Sequence, residues 1–101
     1  MDEKLNQHYN LIKTDYTVFL NFLKTKFPVF HNSNFFYRDF HYGVRKFLES
    51  KDIKVTYPQA KEIANKLAEF FVEEKIFVPV SKLAWKINYP EFVTAVPGDP
   101  L

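Results

Sequence analysis

The chain has 101 residues, 19% of them aromatic, and its 14 basic and 12 acidic side chains leave a net charge of +2. This length fits a single domain, and the weak positive charge does not by itself indicate nucleic-acid binding. The absence of cysteine excludes a disulfide scaffold, a thiolate zinc site and a cysteine nucleophile. No apolar run approaches the roughly 20 residues of a membrane span, and no N-terminal stretch resembles a signal peptide. We therefore expect a cytosolic or nuclear domain, or a soluble piece of a larger protein, with a core built from aromatic rings.

The first quarter of the chain has the apolar spacing of one long helix. Its stripe steps by three or four residues through Leu5, Tyr9, Ile12, Tyr16, Phe19, Leu23 and Phe27. Pro28 ends this helix, because the residue before a proline avoids the helical region.

A second helix is predicted from about residue 34 to residue 50. Its apolar stripe consists of Phe36, Phe40, Val44, Phe47 and Leu48. Gly43 lies inside this helix, where glycine is unfavourable by about 1 kcal/mol relative to alanine, so we expect another element to pack closely against it. The alternating, β-branched segment 53–57 then predicts a short strand.

A third helix begins at Thr56, which forms a capping box with Gln59, and Pro58 fits the first turn. This helix ends near Lys75. Two strands follow over residues 76–80 and 83–87, joined by a short turn at Ser81 and Lys82. Pro79 cannot donate to a strand ladder, so it predicts an edge strand or a bulge.

This order of elements predicts one α+β, winged-helix-like domain over residues 1–92, with an extra N-terminal helix and a C-terminal β-hairpin. Residues 93–101 are expected to form a loose tail. The helical stripes and the hairpin each need a partner face. The predicted shared core comprises Phe36, Phe40, Phe47, Leu67, Phe71 and Trp85.

No residue pattern points to catalysis. The three histidines, His8, His31 and His41, have no metal-ligand spacing, and we expect them to be partly exposed. Ser33, His31 and Asp39 have the residue types of a hydrolase triad, but nothing in the pattern orders them around an oxyanion hole. The two glycines lie far apart, so there is no phosphate loop. We therefore predict a non-enzymatic domain without metal or cofactor.

Nucleic-acid binding is disfavoured by the charge of the third helix. In a winged helix, the helix before the hairpin enters the major groove and needs positive charge. Residues 58–75 carry three lysines against four glutamates. Lys82 and Lys86 alone would make a weakly basic wing. Binding by a transcription or replication factor of this fold remains an alternative interpretation.

Several segments resemble the cytosolic N-terminal domain of the Sec-sixty-two family, a membrane subunit of the post-translational translocation complex. Segment 35–48 is similar to an aromatic and basic segment of that domain that ends in a hydrophobic pair, and 18–23 is similar to its first helix. The helix-to-strand step at 70–80 and the tryptophan–tyrosine–proline element from Trp85 to Pro90 also resemble it. Two features depart from the family: a short turn replaces its long charged insertion between the last strands, and the spacing from Trp85 to Pro90 is one residue longer.

The resemblance implies a docking domain on the cytosolic face of the endoplasmic reticulum, with membrane attachment only through a segment downstream of residue 92. Its partner would be the acidic tail of a J-domain translocon subunit, whose carboxylates or phosphates pair with arginine forks. A DEP-like signalling adaptor is a further alternative with the same order of elements. The candidate partner-binding residues are the basic side chains Arg38, Arg45, Lys46, Lys51, Lys82 and Lys86.

Overall fold

Four helices and a three-stranded antiparallel sheet form the part of the chain that the computed structural model describes, residues 2–92. The loose tail predicted for residues 93–101 lies outside the described residues. In chain order the elements are α1 (Glu3–Thr14), α2 (Tyr16–Lys26), β1 (Asn34–Phe36), α3 (Tyr37–Ser50), α4 (Tyr57–Glu73), β2 (Phe77–Ser81) and β3 (Ala84–Ile87).

The predicted α+β class is confirmed. β3 is the central strand of the sheet, with β1 on one side and β2 on the other, both antiparallel to it. From α2 onward, the order helix, strand, two helices and hairpin is that of a winged helix, and α1 is the extra N-terminal helix. The strand lies before α3, however, and not after it as the sequence predicted.

The prediction of one long first helix is wrong, because the chain breaks at Asp15. The backbone of Asp15 has φ −127° and ψ 56°, which ends α1 and begins α2. The two halves pack on different partners, α1 on α4 and α2 on α3, so a single straight helix does not fit. The apolar stripe itself holds across the break: the Tyr16 ring lies 5.6 Å from that of Phe70.

The prediction that residues 34–36 are helical and that Phe36 belongs to the core is also wrong. These residues form β1, in which Phe35 pairs with Trp85 and Asn34 pairs with Lys86. Neighbouring strand residues point to opposite faces of a sheet. Phe35 is therefore buried, whereas the side chain of Phe36 is 56% exposed.

No strand forms at residues 53–57. Ile53 and Val55 are half-buried and pack against the core without a strand neighbour. The physical reason is that β3 already has β1 and β2 on its two sides, so it has no free edge. This segment instead connects α3 to α4, through a turn in which Asp52 has a φ of 61°.

The remaining predictions about α4 and the hairpin are confirmed. Thr56 and Gln59 form both hydrogen bonds of the capping box, with proline in the first turn. Pro79 lies in an edge strand, and a register shift follows it before Ser81. Apart from Phe36, the predicted core residues are buried: Phe40, Phe47, Leu67, Phe71 and Trp85.

Candidate functional site

A cleft of about 330 Å³ lies where α3 faces the beginning of α4, and it gathers most of the polar aromatic and basic side chains of α3. Arg38, His41 and Arg45 fall on one face of α3, because their spacing of three and four residues matches the helical repeat. Tyr57 closes the cleft from the first turn of α4. This α3–α4 cleft is lined by Tyr37, Arg38, His41, Tyr42, Arg45 and Tyr57.

His41 forms the floor of the α3–α4 cleft and is 5% exposed, which corrects the expectation that it is partly exposed. Its Nε2 lies 3.3 Å from the backbone oxygen of Tyr57 and donates to it. The His41 ring stands edge-on to the Tyr57 ring, with 4.4 Å between the ring centroids. This link ties α3 to the start of α4 and holds the two walls of the cleft together.

Burial lowers the pKa of His41 below its ordinary value, and the positive charges of Arg45 and Lys61 lower it further. The hydrogen bond to Tyr57 acts in the opposite direction and is weaker than the effect of burial, although it exceeds the effect of either positive charge. Neutral His41 is therefore favoured in the folded protein. The charges of Arg45 and Lys61, which contribute less than burial to this shift, also make the surroundings of His41 positive, and positive charge favours an anion there.

We expect acidification to destabilise the protein through His41. Because the folded pKa lies below the ordinary value of 6.5, the unfolded chain binds more protons below that pH. The stability that His41 contributes is thus complete above pH 6.5 and is lost as pH falls towards the lowered pKa, at no more than about 1.4 kcal/mol per pH unit. Urea unfolding at a series of pH values should show a flatter profile for His41→Gln, whose amide still donates to Tyr57. An unchanged slope in His41→Gln would contradict the prediction.

Arg38 and Arg45 have no carboxylate within ion-pair distance among residues 2–92. The ion pair in this part of the chain joins Lys46 to Glu49. Arg38 is exposed and Arg45 is half-buried, and both line the cleft. Both guanidinium groups keep their hydrogen-bond donors available to an external anion.

Lys46 lies on the flank of α3 and outside the lining of the α3–α4 cleft. Its Nζ is 3.2 Å from a carboxylate oxygen of Glu49, and this hydrogen bond raises the pKa of Lys46. The same Nζ stands 5.3 Å from the centroid of the Tyr42 ring. An anion would therefore have to compete with Glu49 for Lys46, whereas Arg45, one residue earlier, has no such competitor.

The other three candidate lysines lie on different surfaces. Lys51 follows α3 on its α1 and α2 side, with its Nζ 5.5 Å from the centroid of the Phe47 ring. Lys82 borders a separate groove together with Glu69 and Glu73 of α4. Lys86 lies on the outer face of β3, level with Asn34 and Val78. Of the six predicted residues, the structure thus brings only Arg38 and Arg45 into one cleft.

Sequence reasoning did not identify the contribution of α4 to this site. Tyr57 was assigned to a strand, and Lys61 was treated only as part of a helix with net negative charge. His41 and Tyr57 are 16 residues apart and meet only because the 51–56 connection folds α4 back on α3. The one local sequence feature that could have indicated this site is the capping box at Thr56. It determines where α4 begins and therefore places Tyr57 in the first turn of that helix.

The groove side of α4 is acidic, and another face of that helix is covered by α1. Asn65, Glu69 and Glu73 face the hairpin across the groove that Lys82 borders. On the α1 side, the Nζ of Lys66 lies 5.6 Å from the centroid of the Tyr9 ring. A phosphate backbone approaching either of these two faces of α4 would therefore meet carboxylates or α1.

Within residues 2–92, no three histidine, aspartate or glutamate side chains come together in a way that would hold a metal ion. None of the helices there has the length and apolar character needed to cross a membrane. The chain matches no family model, and neither the curated proteins nor the solved structures provide a match. The Sec-sixty-two resemblance therefore stays a prediction from the residues that suggested it.

Proposed function

We propose that this domain is a non-catalytic protein-interaction module that binds an acidic segment of a partner protein in the α3–α4 cleft. The observation that carries the proposal is the pair of arginines, Arg38 and Arg45, which line one cleft and have no carboxylate partner within residues 2–92. An uncompensated pair of arginines in a concave, aromatic-lined place is suited to an anionic side chain from outside.

The chemistry of the α3–α4 cleft favours a carboxylate or a phosphate on a flexible peptide. Each guanidinium can hold such a group with two parallel hydrogen bonds, which a lysine cannot do. Lys61 adds positive charge near His41 without competing for that geometry. The tyrosine rings around the cleft supply flat apolar walls against which a peptide backbone packs.

This chemistry agrees with the role that the Sec-sixty-two resemblance implies, which is docking of an acidic tail from a J-domain translocon subunit at the cytosolic face of the endoplasmic reticulum. Support for that specific partner consists of the resemblance and of the fit between an acidic tail and two arginines that have no ion-pair partner among residues 2–92. The nucleic-acid alternative receives no such support, because the exposed groove side of α4 carries Glu69 and Glu73.

The test is a fluorescence-anisotropy titration with a short Gly/Ser peptide that contains a run of glutamates, and with the same peptide carrying phosphoserines. We expect Arg45→Glu to weaken binding of either peptide by about tenfold or more, since a hydrogen bond to a charged group contributes about 1.5–3 kcal/mol. Lys51→Glu is the matched control, because it changes the net charge equally but lies outside the cleft. It should change the dissociation constant by less than about twofold, given the small energies of exposed charges.

Two further titrations test the arginine geometry and the nucleic-acid alternative. Arg45→Lys keeps the charge but removes the fork, so it should bind more weakly than the wild type and more tightly than Arg45→Glu. Duplex DNA at physiological salt should bind no more tightly than the non-specific level of about 10⁻⁴ M. Equal losses of peptide affinity in Arg45→Glu and Lys51→Glu would show that the peptide does not bind in the cleft. Sub-micromolar DNA binding with a steep salt dependence would favour the nucleic-acid alternative.

A further inference from the structure

An apolar groove adjoins the α3–α4 cleft on the side of the hairpin. Its two bulky apolar side chains are Phe36, 56% exposed, and Leu83, 68% exposed. They face a concavity of about 450 Å³, here called the Phe36–Leu83 groove, whose lining is completed by Tyr37, Arg38 and Asp39.

The Phe36–Leu83 groove is built on a well-fixed part of the fold. The backbone N–H of Tyr37 donates to the oxygen of Leu83 at 2.8 Å, which fastens the start of α3 to the hairpin turn. The Tyr37 hydroxyl donates to Asn65 on α4, and its ring lies 6.0 Å from that of Trp85. The backbone that carries the groove is therefore fixed before any partner arrives.

The groove and the cleft form one continuous surface, because Tyr37 and Arg38 border both. These two residues are consecutive in the first turn of α3. An extended peptide advances by about 3.3–3.6 Å per residue. A segment whose anionic side chain pairs with the arginines thus reaches the groove within a few residues.

We propose that the partner segment is amphipathic: it carries a leucine or a phenylalanine, within a few residues of its carboxylate or phosphate, that fills the Phe36–Leu83 groove. This inference rests on the proposed function and adds the second determinant of recognition. The anion would set the register at Arg38 and Arg45, and the apolar side chain would contribute buried area and discriminate against segments that are merely acidic.

The charges favour a peptide over a second copy of the chain. In a symmetric dimer the same patch meets itself, so Arg38 and Arg45 would face their own copies. The sheet edges also discourage pairing between copies, because β1 has only three residues and β2 contains Pro79.

A membrane surface is a poorer match for the same groove. Asp39 borders it, and Glu69 and Glu73 line the next groove along α4, where Tyr37 is again part of the wall. A membrane surface would bring anionic headgroups against these carboxylates, whereas the proposed peptide places its anion in the neighbouring cleft and only an apolar side chain in the groove. Phe36 and Leu83 moreover line a concavity, which suits a single inserted side chain.

The experiment compares two probe peptides on the full chain: the acidic Gly/Ser peptide, and the same peptide with a leucine placed beside the glutamates. We expect the leucine to tighten binding about tenfold, the effect of burying one such side chain in part. Phe36→Ala and Leu83→Ala should each remove most of this gain and leave the binding of the plain acidic peptide within about twofold. Leu11→Ala, which truncates another exposed apolar side chain on α1 (46% exposed), is the matched control and should keep the gain.

The outcomes separate this inference from the proposed function. If the plain acidic peptide binds through Arg45 but the leucine adds nothing, the groove inference is overturned and the proposed function stands. If neither peptide binds, the proposed function fails and the inference fails with it. Binding of anionic vesicles that Leu83→Ala abolishes, or a dimer in sedimentation that Leu83→Ala converts to a monomer, would assign the groove to another occupant and overturn the inference. Near-ultraviolet circular dichroism of each variant checks that the fold is intact.

Discussion

Replacing Phe40 with alanine is expected to lower the free energy of unfolding by about 3–5 kcal/mol, the range for truncating a buried aromatic side chain. Phe40 has no exposed surface. Its ring lies within 6.2 Å, between centroids, of five other rings from α2, β1, α4, β2 and β3. Truncation would leave a cavity, and several helices and strands would have to move together to fill it. Urea denaturation measures the change.

Phe36→Ala is the control that makes this prediction specific. Phe36 stands four residues before Phe40, and the sequence assigned both to one helical stripe. Because the side chain of Phe36 is 56% exposed on β1, its truncation should change the free energy of unfolding by no more than about 0.5 kcal/mol. Similar losses in the two variants would contradict the assignment of Phe36 to a strand surface. A loss under about 1 kcal/mol in Phe40→Ala would contradict its central place in the core.

The contrast between these phenylalanines shows how far local pattern predicts this fold. Stripes at three- and four-residue spacing correctly located the buried faces of the helices, because burial of a helix face depends mainly on its own periodicity. Phe36 and Phe40 have that spacing too, yet β1 exists only because β3, about fifty residues later, offers it an edge. A three-residue strand carries too little alternation to outweigh the helical pattern that continues beyond it.

The prediction of a strand at residues 53–57 was wrong for the opposite reason: no strand edge was available to this segment. Its β-branched alternation is a sound strand signal, but a strand also needs a neighbour, and both sides of β3 are occupied. In the candidate site, Arg38 and Arg45 were predictable as one helix face from their spacing of seven residues. Tyr57 was not, since its place opposite His41 depends on how the 51–56 connection turns the chain.

Gly43→Val is expected to lower the free energy of unfolding by about 1–3 kcal/mol through overpacking. The sequence predicted that another element packs closely on this glycine, and α2 does so. A Cβ placed on Gly43 would overlap Leu23 Cδ2 and would lie 3.5 Å from Phe27 Cε2. Leu23 is fully buried, so its side chain has little space into which to move. The better helix propensity of a non-glycine residue offsets less than about 1 kcal/mol of this loss.

A double-mutant cycle identifies the overlap as the cause. Leu23→Ala alone should lower the free energy of unfolding by about 2–5 kcal/mol, because it opens a cavity. The space it vacates lies where the added valine methyl groups need to go. Gly43→Val combined with Leu23→Ala should therefore be less destabilised than the sum of the single variants, by about 0.5–3 kcal/mol.

Leu20→Ala is the matched control for this cycle, since Leu20 is also a buried leucine of α2 but does not supply the atoms nearest to Gly43. Its effect should add to that of Gly43→Val within about 0.5 kcal/mol. Equal coupling to Leu20 and Leu23 would indicate that valine displaces α2 as a whole. Additivity with both leucines would mean that Gly43 tolerates a side chain and that the close approach of α2 to α3 depends on other residues.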